Sequence, residues 1–323
     1  MKSKPFSLRW IFLLTVLLAG CRGEISPAPT IAEPPAPTDT AVPASLPSAT
    51  PTEEAALPPG NSKRALTVGG IERKYYVHVF PGFDPAQPVP LVLAFHGYSH
   101  DGEIMISYSG LGKVADSAGF LAVFPDGYDP GGQLSWNVGN DCCSETAALG
   151  TDEAAFVREI LADLQTLATI DPKRIYATGY DIGALLTYRL GCEMPDTFAA
   201  IAPVAGLLVF DPCRPSEPVS LLHVHGAEDQ FFPLEGPVSN PFDDKPFPAV
   251  LSGVETWVAA DGCPIPPQVE GDGATTHTVY APCQRGTAVE VVVVNDNGHR
   301  WPADFLWPAA QRIWEFFADH PKT

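Results

Sequence analysis

Three residues have the types and the placement to do chemistry. Asp181 lies in "ATGYDIGALL", between Gly179 and Gly183; Asp229 lies in "HVHGAEDQFFP"; His299 lies in "NDNGHRWP". An imidazole served by two carboxylates is a proton-handling centre. One carboxylate can fix the ring's tautomer, and the other group stands where a nucleophile or a counter-ion would act. Taken singly, each is weak, since a histidine after a strand is commonly structural and an aspartate in a loop is commonly solvated. Together, each follows an apolar run that reads as a strand, so one sheet could bring all three to the same end.

The elements that must do this are legible as alternating strands and helices. "ALTVGGIERKYYVHVFP" reads as a hairpin turning at Gly69-Gly70. "PLVLAFHG", "FLAVFPDG", "RIYATGY", "FAAIAPVAG", "VSLLHVHG" and "VEVVVVN" are near-continuous apolar runs, expected of strands buried on both faces. Helices are expected over 103–118, after a cap at Thr151 or Asp152, over Ile182–Glu193, near 247–260 and near 303–318. This alternation predicts one α/β domain with a mostly parallel sheet covered on both faces. There is no internal repeat, no glycine-rich phosphate loop and no second folded domain.

Strand, sharp turn and helix around Gly179 and Gly183 have the spacing of G-x-S-x-G, the nucleophile elbow of α/β-hydrolases, and the order Asp181, Asp229, His299 follows theirs of nucleophile, acid, histidine. Residues 65–318 resemble the polyhydroxybutyrate depolymerase and feruloyl esterase family of that superfamily. The resemblance rests on "LVLAFHGYS", "GFLAVFPDGY", "WNVGNDCC", "DPKRIYATGYDIGALLTYRLGCEMPDTFAAIAPVAG", "HVHGAEDQFFP", "DGC" and "NGHRWP". It implies an α/β-hydrolase fold and a secreted serine esterase acting on polyester or aromatic (feruloyl-type) esters, without cofactor or metal. By that likeness His299 is the base and Asp229 its orienting acid. The backbone N–H groups of Tyr98 and Ile182 form the oxyanion hole, and Tyr128, Trp136 and Trp301 lie in loops that line the pocket.

The departure is at the centre, where Asp181 replaces the serine. A carboxylate has no proton for His299 to take. Its attack on an ester would give a mixed anhydride that collapses backwards, and its charge would oppose the developing oxyanion. Three readings follow: an esterase-family hydrolase impaired at Asp181, a non-catalytic surface binding module, and an Asp-nucleophile hydrolase of the epoxide or haloalkane type. The last suits the residue types. However, Ile182 stands where such enzymes carry tryptophan, and about a dozen residues between "PVAG" and "PVSLLHV" are too few for a cap domain.

Residues 1–21 carry Lys2, Lys4 and Arg9 before the apolar run "WIFLLTVLLAG", and "LLAGC" resembles the lipobox of bacterial lipoproteins. On that likeness Cys21 is lipidated and the exported protein is anchored to a membrane. Residues 22–60 hold ten prolines and are expected to be a disordered tether. The hydrolase domain is then 61–323. Formal net charge is −19 and becomes −22 without the three basic residues of 1–21, which argues against nucleic acid as a partner. Six further cysteines in an exported chain predict disulfides. Cys263 and Cys283 bracket one short excursion and are expected to pair. Cys142 and Cys143 are chain neighbours, and each is expected to reach Cys192 or Cys213.

Overall fold

The computed structural model describes residues 57–139, 142, 143, 145–236 and 246–323. The expected signal peptide, the lipidated Cys21 and the tether up to residue 56 lie outside the described residues. Leu57 is buried and the first strand begins at Gly60, so folded structure is already present a few residues before position 61.

Among the described residues, ten strands form a single sheet in the order β1-β2-β4-β3-β5-β6-β7-β10-β9-β8. The expected hairpin is β1 (Gly60–Val68) against β2 (Ile71–Val79), with Val68 opposite Ile71 across the Gly69-Gly70 turn. The middle of the sheet is parallel: β4 (Leu121–Pro125), β3 (Val89–Phe95), β5 (Ile170–Tyr180), β6 (Ala200–Val204), β7 (Ser220–Gly226) and β10 (Val289–Val294). All residues of β3, β4, β6 and β7 are buried, because helices cover both faces.

Alternation along β3 divides the core. Leu91, Leu93 and Phe95 face α4 (Glu153–Gln165), α5 (Ile182–Glu193) and α6 (Val250–Ala260), whereas Val92 and Ala94 face α1 (Gly102–Ser109), α2 (Leu111–Ala118) and α7 (Ala309–Asp319). Between β4 and α4 lies the short α3 (Glu145–Leu149). Helix α4 starts as the sequence suggests, with the Asp152 side chain accepting from Ala155 N–H. The single helix expected over 103–118 is two helices. Gly110 between them adopts φ 69°, a left-handed conformation that closes α1 and opens α2 at a new angle. The sequence reading also missed the antiparallel hairpin β8 (Gln268–Gly271) and β9 (Thr275–Tyr280), which extends the sheet beyond β10.

Cys263 and Cys283 are bridged as expected, with Cα atoms 4.1 Å apart. The other expectation is corrected: Cys142 pairs with Cys143, and Cys192 with Cys213. Cys192 lies in the last turn of α5, where the stretch after β6 brings the Cys213 Cα to 5.3 Å, a normal bridging distance, so neither is left for the Cys142-Cys143 pair. Among the described residues, no helix is long and apolar enough to cross a membrane.

Candidate active site

Because β3, β5, β7 and β10 run parallel, their carboxyl ends share one edge of the sheet, and each delivers a functional loop there. Asp181 follows β5 in a sharp turn with φ 56° and ψ −124°. A non-glycine residue there carries about 1–3 kcal/mol of strain and persists only where its surroundings impose it. They do so here: Asp181 N–H donates to Val204 O, and Asp181 O accepts from Ala184 N–H and Leu185 N–H. Close packing completes the turn. A Cβ on Gly183 would stand 2.3 Å from Phe95 O, so only glycine lets α5 approach β3 this closely.

Asp229 occupies the turn after β7, joined to the β10 loop by Glu228 N–H donating to Asn297 O. Its Oδ1 accepts from the backbone N–H groups of Phe231 and Phe232 at 2.9 and 2.8 Å. Its Oδ2 lies 2.8 Å from His299 Nδ1 and 3.3 Å from His225 Nε2. His299 Nε2 lies 3.1 Å from Asp181 Oδ1, so the imidazole sits between the two carboxylates as the chain order implies. Asp181 Oδ2 in turn accepts from Tyr98 N–H at 2.8 Å.

The protonation states follow. Burial alone would lower the pKa of His299, but hydrogen bonds to Asp181 and Asp229 outweigh it and push the ring up to about 9. At neutral pH His299 is therefore an imidazolium donating from both nitrogens. Burial would raise Asp229, yet the bonds from His225 and His299 hold it well below the usual carboxylate range. A protonated His299 cannot serve as a general base until it loses that proton.

Tyr98 comes from the loop after β3, which His96 holds. Burial pushes His96 down to about 4, so the ring is neutral; Nδ1–H donates to Gly97 O and Nε2 accepts from Gly127 N–H, both at 2.8 Å. Trp136, expected in the pocket, instead braces this loop from beneath. It is fully buried, its Nε1–H donates to His96 O at 2.9 Å, and its ring packs on Phe95 and His96. Trp301 is likewise corrected: its side chain is buried in the core under α7, and its N–H donates to Tyr108 Oη. Tyr128 donates its N–H to Ser135 O and accepts from the Thr146 hydroxyl at its carbonyl, and it is not among the described residues that line the cavity. The loops that carry the two indoles fold back over the sheet and use them as packing.

The cavity over Asp181 and His299 measures about 310 Å³. Its walls are Tyr98, Tyr180, Leu185, Phe231, Phe232 and Phe247, with Ile182, His100 and Cys143 completing the lining among the described residues. Phe231 and Phe232 went unremarked in the sequence although only Gln230 separates them from Asp229. Two adjacent phenylalanines in a loop after an acid were the available signal. Their rings stand 4.9 and 5.3 Å from that of His299, and Tyr180 stands at 5.3 Å, with its hydroxyl donating to His299 O. Behind Asp229 runs a wholly buried chain: Tyr188 Oη to His223 Nδ1 at 2.8 Å, His223 Nε2 to His225 Nδ1 at 3.1 Å, and His225 Nε2 to Phe232 O at 2.7 Å.

Comparison with known proteins places these features in a family. The family model for esterase PHB depolymerases matches residues 74–224, from within β2 to within β7. The esterase-type protein NocK of Nocardia uniformis subsp. tsuyamanensis is 32% identical over 261 residues, covering 74% of this chain and 73% of that one. Feruloyl esterase B of Piromyces equi is 30% identical over 235 residues, covering 70% of this chain and 42% of its own length. Among solved structures, the acetyl xylan esterase from Aspergillus awamori superposes with a TM-score of 0.60 at 14% identity, over 80% of this chain and 99% of that one.

Proposed function

Since the chain belongs to the PHB depolymerase and feruloyl esterase family of α/β-hydrolases, we propose that it is an exported member, tethered by lipid at Cys21, in which Asp181 closes serine-type hydrolysis of aromatic and hydroxyalkanoate esters. What remains is a ligand-binding pocket on a hydrolase scaffold. The observation that carries the reading is the double engagement of the Asp181 carboxylate, with Oδ1 on His299 Nε2 and Oδ2 on Tyr98 N–H. In a serine esterase the nucleophile's oxygen takes the first position, and the acyl oxygen, as it gains charge, takes the second. One side chain here fills both. A substrate carbonyl that reached the neighbouring Ile182 N–H would stand beside a carboxylate, where a growing negative charge is repelled.

The roles follow from that arrangement. Asp229 orients His299 through Nδ1, and His299 acts as counter-ion to Asp181 rather than as base. The aromatic walls receive an apolar or ring-bearing group. Export and tethering rest on the charged apolar leader, the "LLAGC" stretch and the disulfides.

The test is turnover by the full chain of a short p-nitrophenyl ester, a feruloyl ester and a styrene-type epoxide. All three are expected to survive. Rapid ester hydrolysis would overturn the closed route. Opening of the epoxide would instead make Asp181 a nucleophile at sp³ carbon, for which its Oδ2 anchorage on Tyr98 N–H is the favourable feature. For the tether, Cys21→Ala is expected to move the protein from the membrane fraction to the medium.

A further inference from the structure

A serine-type pocket meets its ligand with donors, since backbone N–H groups face the acyl oxygen. In this pocket the donors at Tyr98 and His299 are spoken for, and the remaining backbone donor, Ile182 N–H, stands next to the Asp181 carboxylate. Tyr98 N–H bonds Asp181 Oδ2, and the two ring nitrogens of His299 bond Asp181 Oδ1 and Asp229 Oδ2. What the floor offers is acceptor capacity. Each carboxylate oxygen has two lone-pair sites and Asp181 has committed one of each. Its side chain keeps 19% exposure into the cavity.

Charge points the same way. Two carboxylates against one imidazolium leave one net negative charge at the base of the pocket. His299 does not cancel it, because the ring is fixed between both acids. The walls include the rings of Tyr98, Tyr180, Phe231, Phe232 and Phe247, and an aromatic ring can take a cation on its face. Phe231, 69% exposed, lines the cavity and is open to solvent. The chain beyond the leader carries −22, so the surrounding field also attracts cations.

We propose that the pocket takes a small organic cation, an alkyl- or aralkylammonium, whose charged head meets Asp181 and whose apolar body lies against Phe231, Phe232 and Phe247. This rests on the reading that Asp181 closes the serine route. The cavity of about 310 Å³ is at the small end for ligand sites, so it fits one ring with a short arm rather than a polymer chain. Replacing a neutral serine by aspartate thus changes what is recognised: a site built for an ester's acceptor oxygen becomes one for a donor with positive charge.

Calorimetric titration of the full chain with phenethylammonium, 2-phenylethanol and 3-phenylpropionate tests this, because the three share a phenethyl body and differ in the head group. The ammonium is expected to bind about tenfold or more tightly than the alcohol, with the carboxylate weakest. Asp181→Ser is expected to abolish that preference. Asp181→Asn, nearly isosteric, should do the same, and keeps the test sound if the serine variant folds poorly. Equal binding of ammonium and carboxylate, an unchanged ratio in both variants, or no ammonium binding at millimolar concentration would each overturn the proposal. Ester turnover by the unaltered chain is a separate failure, which strikes the closed-route reading while leaving the affinity order to be judged by itself.

Discussion

The turns after β5 and β7 meet over one imidazole and treat their carboxylates differently. Asp229 has a fully buried side chain with two backbone N–H groups on one oxygen and two histidines at the other. Asp181 has one backbone donor and one histidine, and faces a cavity. Yet the backbone at Asp181 is the more constrained of the two, with positive φ and Gly183 wedged against β3. The difference teaches that the elbow is specified by main-chain packing, which tolerates a change of side chain at its tip. The acid turn is specified by the side chain itself. Chemistry can therefore be exchanged at residue 181 at little cost to the turn, whereas at residue 229 only a nearly isosteric change keeps the bonds that shape it.

The sharpest way to break this comparison is Asp181→Ser. With His299, Asp229 and the Tyr98 and Ile182 donors in place, ester hydrolysis is expected to rise roughly 10⁴–10⁶-fold, the share a complete triad carries. Stopped or continuous p-nitrophenyl ester assays would read it. A gain below about tenfold would mean that the pocket has drifted together with the nucleophile position. Next, Asp229→Asn in that same variant should cost about 10⁴ in kcat by releasing the wrong imidazole tautomer. A small loss would show that His225 and the backbone donors, not Asp229, orient the ring.

The third effect is a pH dependence. His299 has its folded pKa raised from 6.5 to about 9. Its contribution to stability is fully present below about pH 6.5 and is lost as pH rises through about 9, by roughly 3 kcal/mol. Denaturant midpoints of the unaltered chain should fall over that window, and Asp181→Ser should flatten the fall. A flat profile in the unaltered chain would remove the imidazolium from the site.

The smallest effect concerns Asp261, a buried acid remote from the imidazole. Burial pushes its carboxyl up to about 6, the opposite direction from Asp229. Because the folded state holds this proton more tightly, stability is expected to fall as pH rises from about 4 to 6. Asp261→Asn should gain about 1–2 kcal/mol at pH 7 in thermal unfolding. A loss of stability would show that the ionised form is held by bonds the amide cannot make.

The sequence disclosed whatever depends on local pattern. Apolar runs marked the parallel strands, and helix α5 was placed to the residue because Asp181 and the glycines beside it announce a strand–turn–helix. The chain order of Asp181, Asp229 and His299 was enough to bring them together. What escaped depends on how loops return over the sheet. Trp136 and Trp301 lie in loops yet pack inward, and Tyr128 is absent from the described lining, while Phe231, Phe232 and Phe247 reach the cavity. The β8–β9 hairpin escaped because all of β8 is exposed and none of β9 is buried, so no apolar alternation marks it. The break at Gly110 escaped because one glycine inside an apolar helical pattern is compatible with continuation, and only its left-handed conformation ends α1.

The chain from Tyr188 to Phe232 has a direction. A carbonyl oxygen can only accept, so Phe232 O obliges His225 to carry its hydrogen on Nε2. Its Nδ1 is then bare and must be served by His223 Nε2–H. His223 Nδ1 is bare in consequence, and the Tyr188 hydroxyl must point at it. One peptide oxygen at the pocket wall thereby sets the hydrogen position of a phenol two rings away. A further proton on His223 would need a donor to face the Tyr188 hydrogen, and burial already holds this ring well below the ordinary histidine range. The interior behind Asp229 is thus polarised: every N–H and O–H along the chain points toward the loop that holds the acid, so the phenol, two imidazoles and a peptide oxygen are aligned as one row of dipoles behind the carboxylate that orients His299.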